Sequence, residues 1–533
     1  MKNYPTKIVL LWHMHQPSYR HPEKPYLLLP WVRLRGVKDY YGMARMLDRF
    51  PQAKAVVNFS GVLLEQLNAY AKGSVKDHAL VLSEKKPSAL NAEEYRVLRE
   101  RFFDVHFEHM LKPNPRYLEL WQKKQDGVRF SPQEILDLQV WFNLVWFHPY
   151  TLKEEARVRQ LKKKGKGFEE SEKHYVLSKH ASLMRKILPL YKKLSAQKKI
   201  EVTLSPYYHP ILPLVHDNRI VRRVPGVKVP LRRFSAPEDC RWQISESKKI
   251  YRSIFGGRAP SGAWPSEGAI SRETLEMMER QGVRWVGTDE ALLYESLAGE
   301  FVSAEMLRKQ RHLLYHPYSF RRLKLFFRDR GLSDLVSFVY QGWENQVAAA
   351  EDLIANFRRI HSSLSHFTRE NVISIMMDGE NAWEYYRNNG VDFLETLYTR
   401  VEKDDSFSLA YPRQLLRSLR GKHVHALPKI APGSWINGDF GVWIGNERNN
   451  TYWDFLARIR KLIMKKKRTK AAKQARQVLY RLESSDWFWW NTFDDPRGDF
   501  ERIFFALLRK AYRVLGKKYP ELEKRWKSVK KRT

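Results

Sequence analysis

The sequence predicts an α/β protein: a barrel of parallel β-strands, extended by a helical insertion and a C-terminal helical domain. Three observations carry that expectation. Short apolar, β-branched runs recur up to about residue 405, each ends in polar or aromatic residues, and most are separated by stretches of helical periodicity. The runs cover residues 7–12, leading into His13-Met14-His15-Gln16-Pro17, and 55–57, leading into Asn58. Residues 200–204 lead into Ser205-Pro206-Tyr207-Tyr208-His209-Pro210, 261–264 into Pro265-Ser266-Glu267, and 283–286 into Gly287-Thr288-Asp289. The last two are 335–339 into Tyr340 and 372–377 into Asp378-Gly379-Glu380. Seven strands that load their chemistry onto their C-terminal ends describe a (β/α) barrel, whose active site lies on that face.

Residues 61–198 are mostly helical in pattern and carry Leu138-Gln139-Val140-Trp141-Phe142-Asn143-Leu144-Val145-Trp146-Phe147. They read as an insertion after the second strand that packs on the barrel. After about 405 the strand rhythm stops, and residues 452–465, 470–483 and 500–515 read as helices. The expected division is a catalytic barrel with its insertion over 1–404 and a helical domain over 405–533. No fixed-period repeat and no Pro/Gly/Ser-rich linker marks the boundary.

A chain of 533 residues with 43% hydrophobic and 29% charged residues has the composition of a folded protein of two or three domains. Its 95 Lys+Arg against 59 Asp+Glu give a net charge of +36, which by itself suggests nucleic acid or an anionic surface. The basic runs at 162–166 and 465–468 lack interleaved aromatics and that at 524–532 has only Trp526; they read as a solvated basic face rather than a nucleic-acid site. The 17 Trp, 26 Tyr and 27 Phe suit sugar faces as well as bases. A lone Cys240 excludes an intramolecular disulfide framework and a multi-Cys zinc site. The apolar run 8–12 is too short for a secretory signal, and no run reaches membrane-spanning length. The expectation is a soluble cytoplasmic enzyme.

Two carboxylates at strand ends flanked by aromatics are the strongest chemical signals: Trp264-Pro265-Ser266-Glu267 and Asp378-Gly379-Glu380-Asn381-Ala382-Trp383. Glycoside hydrolysis needs two carboxyl groups about the scissile bond, one at the anomeric carbon and one donating a proton to the leaving oxygen. Neighbouring indoles can stack on sugar rings and raise an acid's pKa by desolvation. The plainer reading is helix N-caps at loop starts. His13-x-His15 places two imidazoles on one side of a strand. That pair suits a metal, or hydrogen bonds to substrate hydroxyls or a catalytic carboxylate; the second is preferred, because no HxxxH-type spacing follows. In Ser485-Asp486-Trp487-Phe488-Trp489-Trp490 four successive rings cannot all face one core, and Asp486 beside them suggests a sugar subsite.

Together these segments resemble glycoside hydrolase family 57, the family of α-amylases, amylopullulanases and 4-α-glucanotransferases. Five short regions match in order: His13-Met14-His15-Gln16-Pro17, Ile200-Glu201-Val202-Thr203, Gly262-Ala263-Trp264-Pro265-Ser266-Glu267-Gly268, Met377 to Glu384, and Ser485 to Trp490. The 138–147 stretch, Phe327-Arg328-Asp329 with Leu332-Ser333-Asp334, and Ser434-Trp435-Ile436-Asn437-Gly438 are also family-like. The resemblance implies a (β/α)7 incomplete TIM-like barrel, with a helical domain closing over the cleft. It implies retaining chemistry on α-glucosidic bonds without metal or organic cofactor, with Glu267 as nucleophile and Asp378 as general acid/base. Their carboxyls should then lie about 5–5.5 Å apart. The same matching places His13, His15, Glu201, Trp264, Glu380, Asp486 and Trp489 around the scissile bond, with Trp383, Tyr207, His209 and Arg328 as further candidates.

The sequence departs from the family pattern before Glu201, where a glycine is missing, and around Asp486, where Ser484 precedes and Asn491-Thr492-Phe493 follows. The form of the Asp378–Glu384 segment looks closest to the amylase and amylopullulanase branch. The expected partner is therefore an α-1,4-glucan. Alternatives are a 4-α-glucanotransferase or branching enzyme of the same chemistry, a non-catalytic glycan-binding relative, and a metal-dependent deacetylase.

Overall fold

The computed structural model describes residues 5–223, 229–365, 371–380, 382–419, 424–466 and 468–531. Asn381, Lys467, Arg532 and the side chain of Arg525, all within segments singled out in the sequence, lie outside the described residues.

The strands are β1 (Thr6–Met14), β2 (Ala55–Phe59), β3 (Ile200–Leu204), β4 (Gly262–Ala263), β5 (Trp285–Asp289), β6 (Tyr318–Phe320), β7 (Leu323–Arg328), β8 (Val372–Asp378), β9 (Phe407–Leu409) and β10 (His425–Ala426). Seven parallel strands run in the order β7-β5-β4-β3-β2-β1-β8, with β6 and β10 beyond β7 and β9 on the first residues of β1. Among the described residues, β6 and β7 are the one pair of strands that runs antiparallel.

The strands form because both faces find cover, so near-continuous apolar runs replace alternation. Along β1, Val9 and Leu11 point into the barrel, where they meet Val56, Trp264, Trp285, Phe326 and Met376. Ile8, Leu10, Trp12 and Met14 point out into the larger core made with the helices. Tyr411, Leu415 and Leu419 close the N-terminal end of the barrel.

The barrel is incomplete as expected: among the described residues β7 and β8 share no ladder. A seam runs between them, crossed by the Asp329 amide donating to Ser374 O (2.9 Å) and by Arg328 Nε donating to Met376 O (2.8 Å).

One predicted strand is wrong. Residues 335–339 form a π-helical turn, Leu335–Val339, continuing the helix Arg330–Asp334 that the Asp329 carboxylate caps. Val336 alone in that turn is buried. The strand position belongs to Leu323–Arg328, whose inward Lys324 and Arg328 and preceding Arg321-Arg322 disguise it as polar. β9 and β10 also continue to pair with the sheet past residue 405.

Between β2 and β3 the regular elements are helical and end in the 27-residue helix Glu170–Ala196. Beyond β10 come helices Glu447–Lys465, Lys470–Leu482, Ser485–Thr492, Asp499–Val514 and Leu522–Lys530. The aromatic run is itself a helix. At about 100° per residue it buries Trp487 and Phe488 while Trp489 and Trp490 face a cleft. Among the described residues no helix is long and apolar enough to cross a membrane.

Candidate active site

Glu267 follows β4 in a single tight turn, Ser266–Gly268, with its own backbone in the left-handed region (φ 57, ψ 27). For a residue with a Cβ this conformation costs about 1–2 kcal/mol and persists only where neighbours enforce it. Here Gly268 N donates to Pro265 O (2.8 Å) and the Trp435 amide to Glu267 O (3.0 Å). The Trp435 indole N–H also donates to Glu267 Oε2 at 2.8 Å. Gly268 is needed at this turn, since its φ is positive and a Cβ there would meet the Trp264 ring at 2.9 Å. Burial pushes the Glu267 carboxyl up to about 8; the Trp435 bond opposes this, and the Asp378 and Asp486 charges add to it.

Asp378 ends β8 in register with His13 of β1, and it is exposed to the cleft. Its charge acts on three neighbours, raising the pKa of His13, Glu267 and Glu380. The chain turns directly after it: the Gly379 amide donates to His13 O (2.6 Å), and a Cβ at Gly379 would press on Met14 and Trp12 at 3.1–3.2 Å. Glu380 then faces inward, accepting from the His15 amide (3.2 Å) and Gln16 Nε2 (3.3 Å). Burial, then the Asp378 charge, holds its carboxyl well above the usual range, while Arg35 opposes them.

Three imidazoles lie beside this pair. His13 and His15 do share one side of β1, and the His209 ring stacks on His15 with centroids 3.9 Å apart. Each ring is fixed by its second nitrogen: His13 Nδ1 to Asn58 Oδ1 (2.6 Å), His15 Nδ1 to Ser60 Oγ (2.7 Å) and His209 Nδ1 to Ser485 Oγ (2.9 Å). His13 Nε2 and His209 Nε2 share a hydrogen bond of 3.1 Å, and His15 Nε2 meets both Asp486 oxygens at 3.1 Å. Burial holds His13 near 4 and His209 well below the usual value, so both rings are neutral at neutral pH. His15, His209 and Asp486 are close enough together to share a cation. Yet the parallel rings of His15 and His209 send their in-plane lone pairs side by side rather than to one point, a geometry suited to hydrogen bonding.

A cleft of about 1190 Å³ at the C-terminal ends of the strands brings together His13, His15, His209, Trp264, Glu267, Arg328, Asp378, Glu380, Asp486 and Trp489. Arg328 reaches Asp289 (3.3 Å) and Asp334, and its guanidinium lies over the Trp435 ring at 4.9 Å.

Three sequence candidates do not reach the cleft. Trp383 is buried behind it, edge-on to Trp12 (5.8 Å) and donating to Gly379 O (3.0 Å), so it braces the Asp378–Glu380 turn from the core side. Tyr207 points at Glu65 (2.8 Å), under Gly61. Glu201 lies near the start of β3, at the opposite end of the barrel, because the two-residue side-chain period turns it inward low in the strand. There it accepts from Trp285 Nε1 (2.8 Å) and the Arg413 amide (2.9 Å).

Burial pushes the Glu201 carboxyl up to about 7 from 4.5. Folded protein thus keeps a proton there between pH 4.5 and 7 that the unfolded chain has released, and the group's contribution to stability falls as pH rises through that window. The loss is on the order of 3 kcal/mol. Denaturant midpoints of wild type and Glu201→Gln compared from pH 4.5 to 8 should show the wild type losing ground as pH rises. A gap independent of pH would disprove this.

Sequence reasoning missed Trp435 and Arg35. Trp435 was visible within Ser434–Gly438, but nothing in that segment signals that its indole reaches Glu267. Arg35 lies in the helix Trp31–Arg35, lines the cleft and pairs with Glu384 (2.8 Å).

A family model described as glycosyl hydrolase family 57 matches residues 9–428. No curated protein matches the chain. Among solved structures it is similar to a family 57 branching enzyme of Thermococcus kodakaraensis, at 16% identity and a TM-score of 0.62, covering 98% of this chain and 94% of that one. It is also similar to an α-amylase of Thermotoga maritima, at 15% identity and a TM-score of 0.60, with coverages of 98% and 96%. A 4-α-glucanotransferase of Thermococcus litoralis follows at 14% and 0.53, with 96% of this chain and 60% of that one covered. At these identities the likeness to the solved structures speaks for the fold.

Proposed function

The chain belongs to glycosyl hydrolase family 57 and is an enzyme of the glycoside hydrolase type, and on that premise we propose that it cleaves α-1,4-glucans of the amylase kind by double displacement. The observation that carries this reading is that Glu267 and Asp378 open into one cleft walled by indoles and imidazoles. Burial leaves Glu267 largely protonated near pH 7, and the form that reacts is the ionised one: it attacks the anomeric carbon while Asp378 gives its proton to the glycosidic oxygen, so the leaving chain departs with that proton. A hydroxyl then attacks the glycosyl-enzyme, passes its proton to the Asp378 carboxylate, and releases Glu267. With sugar bound, the Nε2 atoms of neutral His13 and His209 exchange their mutual hydrogen bond for sugar hydroxyls, without bringing positive charge close to a transition state that carries its own. Trp489 supplies a face for the sugar ring.

The product profile from maltoheptaose tests the reading. Shorter sugars are expected from hydrolysis, and longer ones in addition where a sugar hydroxyl acts as acceptor. No product from the wild type would overturn the reading.

A further inference from the structure

Beyond Asp378 the cleft is lined by exposed aromatic rings that hydrolysis of a single bond does not call for. Phe338, 59% exposed, stands on the π-turn Leu335–Val339. That turn packs beside the end of β8, with Ser337 against Met377 and the Tyr386 hydroxyl donating to Val336 O (2.5 Å). Tyr385, 46% exposed, comes from the loop that follows Glu380, and its ring meets His106 edge-on at 4.9 Å. Next to His106, Phe107 begins a second π-turn, Phe107–Leu111, in the helical segment between β2 and β3. Phe338, Tyr385 and Phe107 all line the cleft. A π-turn inserts a residue into a helix and is found disproportionately where a side chain must be presented for function. Two of them here present phenyl rings to one opening.

The chemistry of this part of the cleft selects a neutral partner. Its charged groups are paired among themselves: Arg101 with Asp104 (2.9 Å) and Asp499 (2.7 Å), and Arg497 with Asp104 (2.5 Å). What remains open is apolar ring surface, which costs free energy in water and is recovered by stacking on a pyranose face. This part also lies on the side of Asp378, the group assigned to the glycosidic oxygen, which is where the leaving and accepting sugars must sit.

Resting on the function proposed above, we propose that Phe338 and Tyr385, with Phe107 beyond them, form a platform that binds the sugars of an acceptor glucan, and that its occupancy decides between transfer and hydrolysis. An acceptor chain on the platform brings a hydroxyl to the glycosyl-enzyme. Its oxygen bonds to the anomeric carbon, its proton goes to the Asp378 carboxylate, and the ester bond to Glu267 breaks. With the platform empty, water takes the same place.

The test is the ratio of transfer products to new reducing ends from maltoheptaose, with maltose added as acceptor, in wild type, Phe338→Ala, Tyr385→Ala and the double variant. The ratio is expected to fall about tenfold in the double variant, with the KM for maltose as acceptor raised. The ring-retaining Phe338→Tyr and Tyr385→Phe should restore both. Phe301→Ala, which truncates an 87% exposed ring outside the cleft, should leave the ratio alone. A wild-type ratio in the double variant, a loss that ring-retaining variants do not restore, or a wild type that hydrolyses but never transfers would overturn the platform alone. A wild type that leaves maltoheptaose untouched would overturn the proposed function itself.

Discussion

Glu267→Gln is expected to lower turnover of maltoheptaose by about 10⁴-fold or more while the protein still folds. The loss is large because without a carboxylate no covalent intermediate can form, and an amide is a poor nucleophile. The fold should survive for a reason visible at the site. With its carboxyl pushed up to about 8, Glu267 is largely protonated near pH 7, so glutamine resembles the resting state in charge and shape. Its amide oxygen can still accept from the Trp435 indole. Measuring kcat beside the thermal midpoint checks both halves. Activity within tenfold of wild type would remove Glu267 from the nucleophile's role.

Asp378→Asn should cost about 10²- to 10⁴-fold on maltoheptaose, the usual worth of a positioned acid/base. The loss should be much smaller in the first step with an α-glycosyl fluoride, whose leaving group needs less help from an acid. The variant also carries a sign in pH. The Asp378 charge is one of the groups that raise Glu267. Removing it should move the Glu267 ionisation acidward from about 8, so the rise of fluoride turnover with pH comes earlier in the variant. An unmoved or baseward limb would mean that Asp378 does not face Glu267 in solution.

The strands that carry the site were readable because each is an uninterrupted apolar run closed by a chemically conspicuous residue, as in β1 before His13 and β8 before Asp378. β7 escaped because Lys324 and Arg328 occupy inward positions of a seam strand, and the Arg328 charge is offset there by Asp289, Asp334 and the Met376 carbonyl rather than by exposure. Residues 335–339 misled in the opposite sense. Their apolar side chains are partly turned outward by a π-turn, which no two-residue alternation announces. Within the cleft, the candidates that follow strand ends come together because the barrel puts all such ends on one face. Glu201 stands apart from them for the same reason read in reverse: it lies near the start of its strand, and resemblance of a short segment does not report depth in the barrel. Trp383 lies outside the cleft: an indole beside a strand-end carboxylate reads alike in sequence whether it walls the cleft or braces the turn, and only its packing against Trp12 tells the two apart. Trp435 could not be weighed, since its partner Glu267 lies 168 residues away.

The open seam between β7 and β8 has a bearing on where the molecule breathes. From β4, which precedes Glu267, to β8, which ends in Asp378, the ladder passes through β3, β2 and β1 without a break. The two carboxylates therefore ride on a continuous arc, and among the described residues the unzipped seam lies on the other way round. Amides of β7 and β8 that face the seam should exchange with solvent deuterium sooner than those of β1 and β2, through local openings that need not separate Glu267 from Asp378.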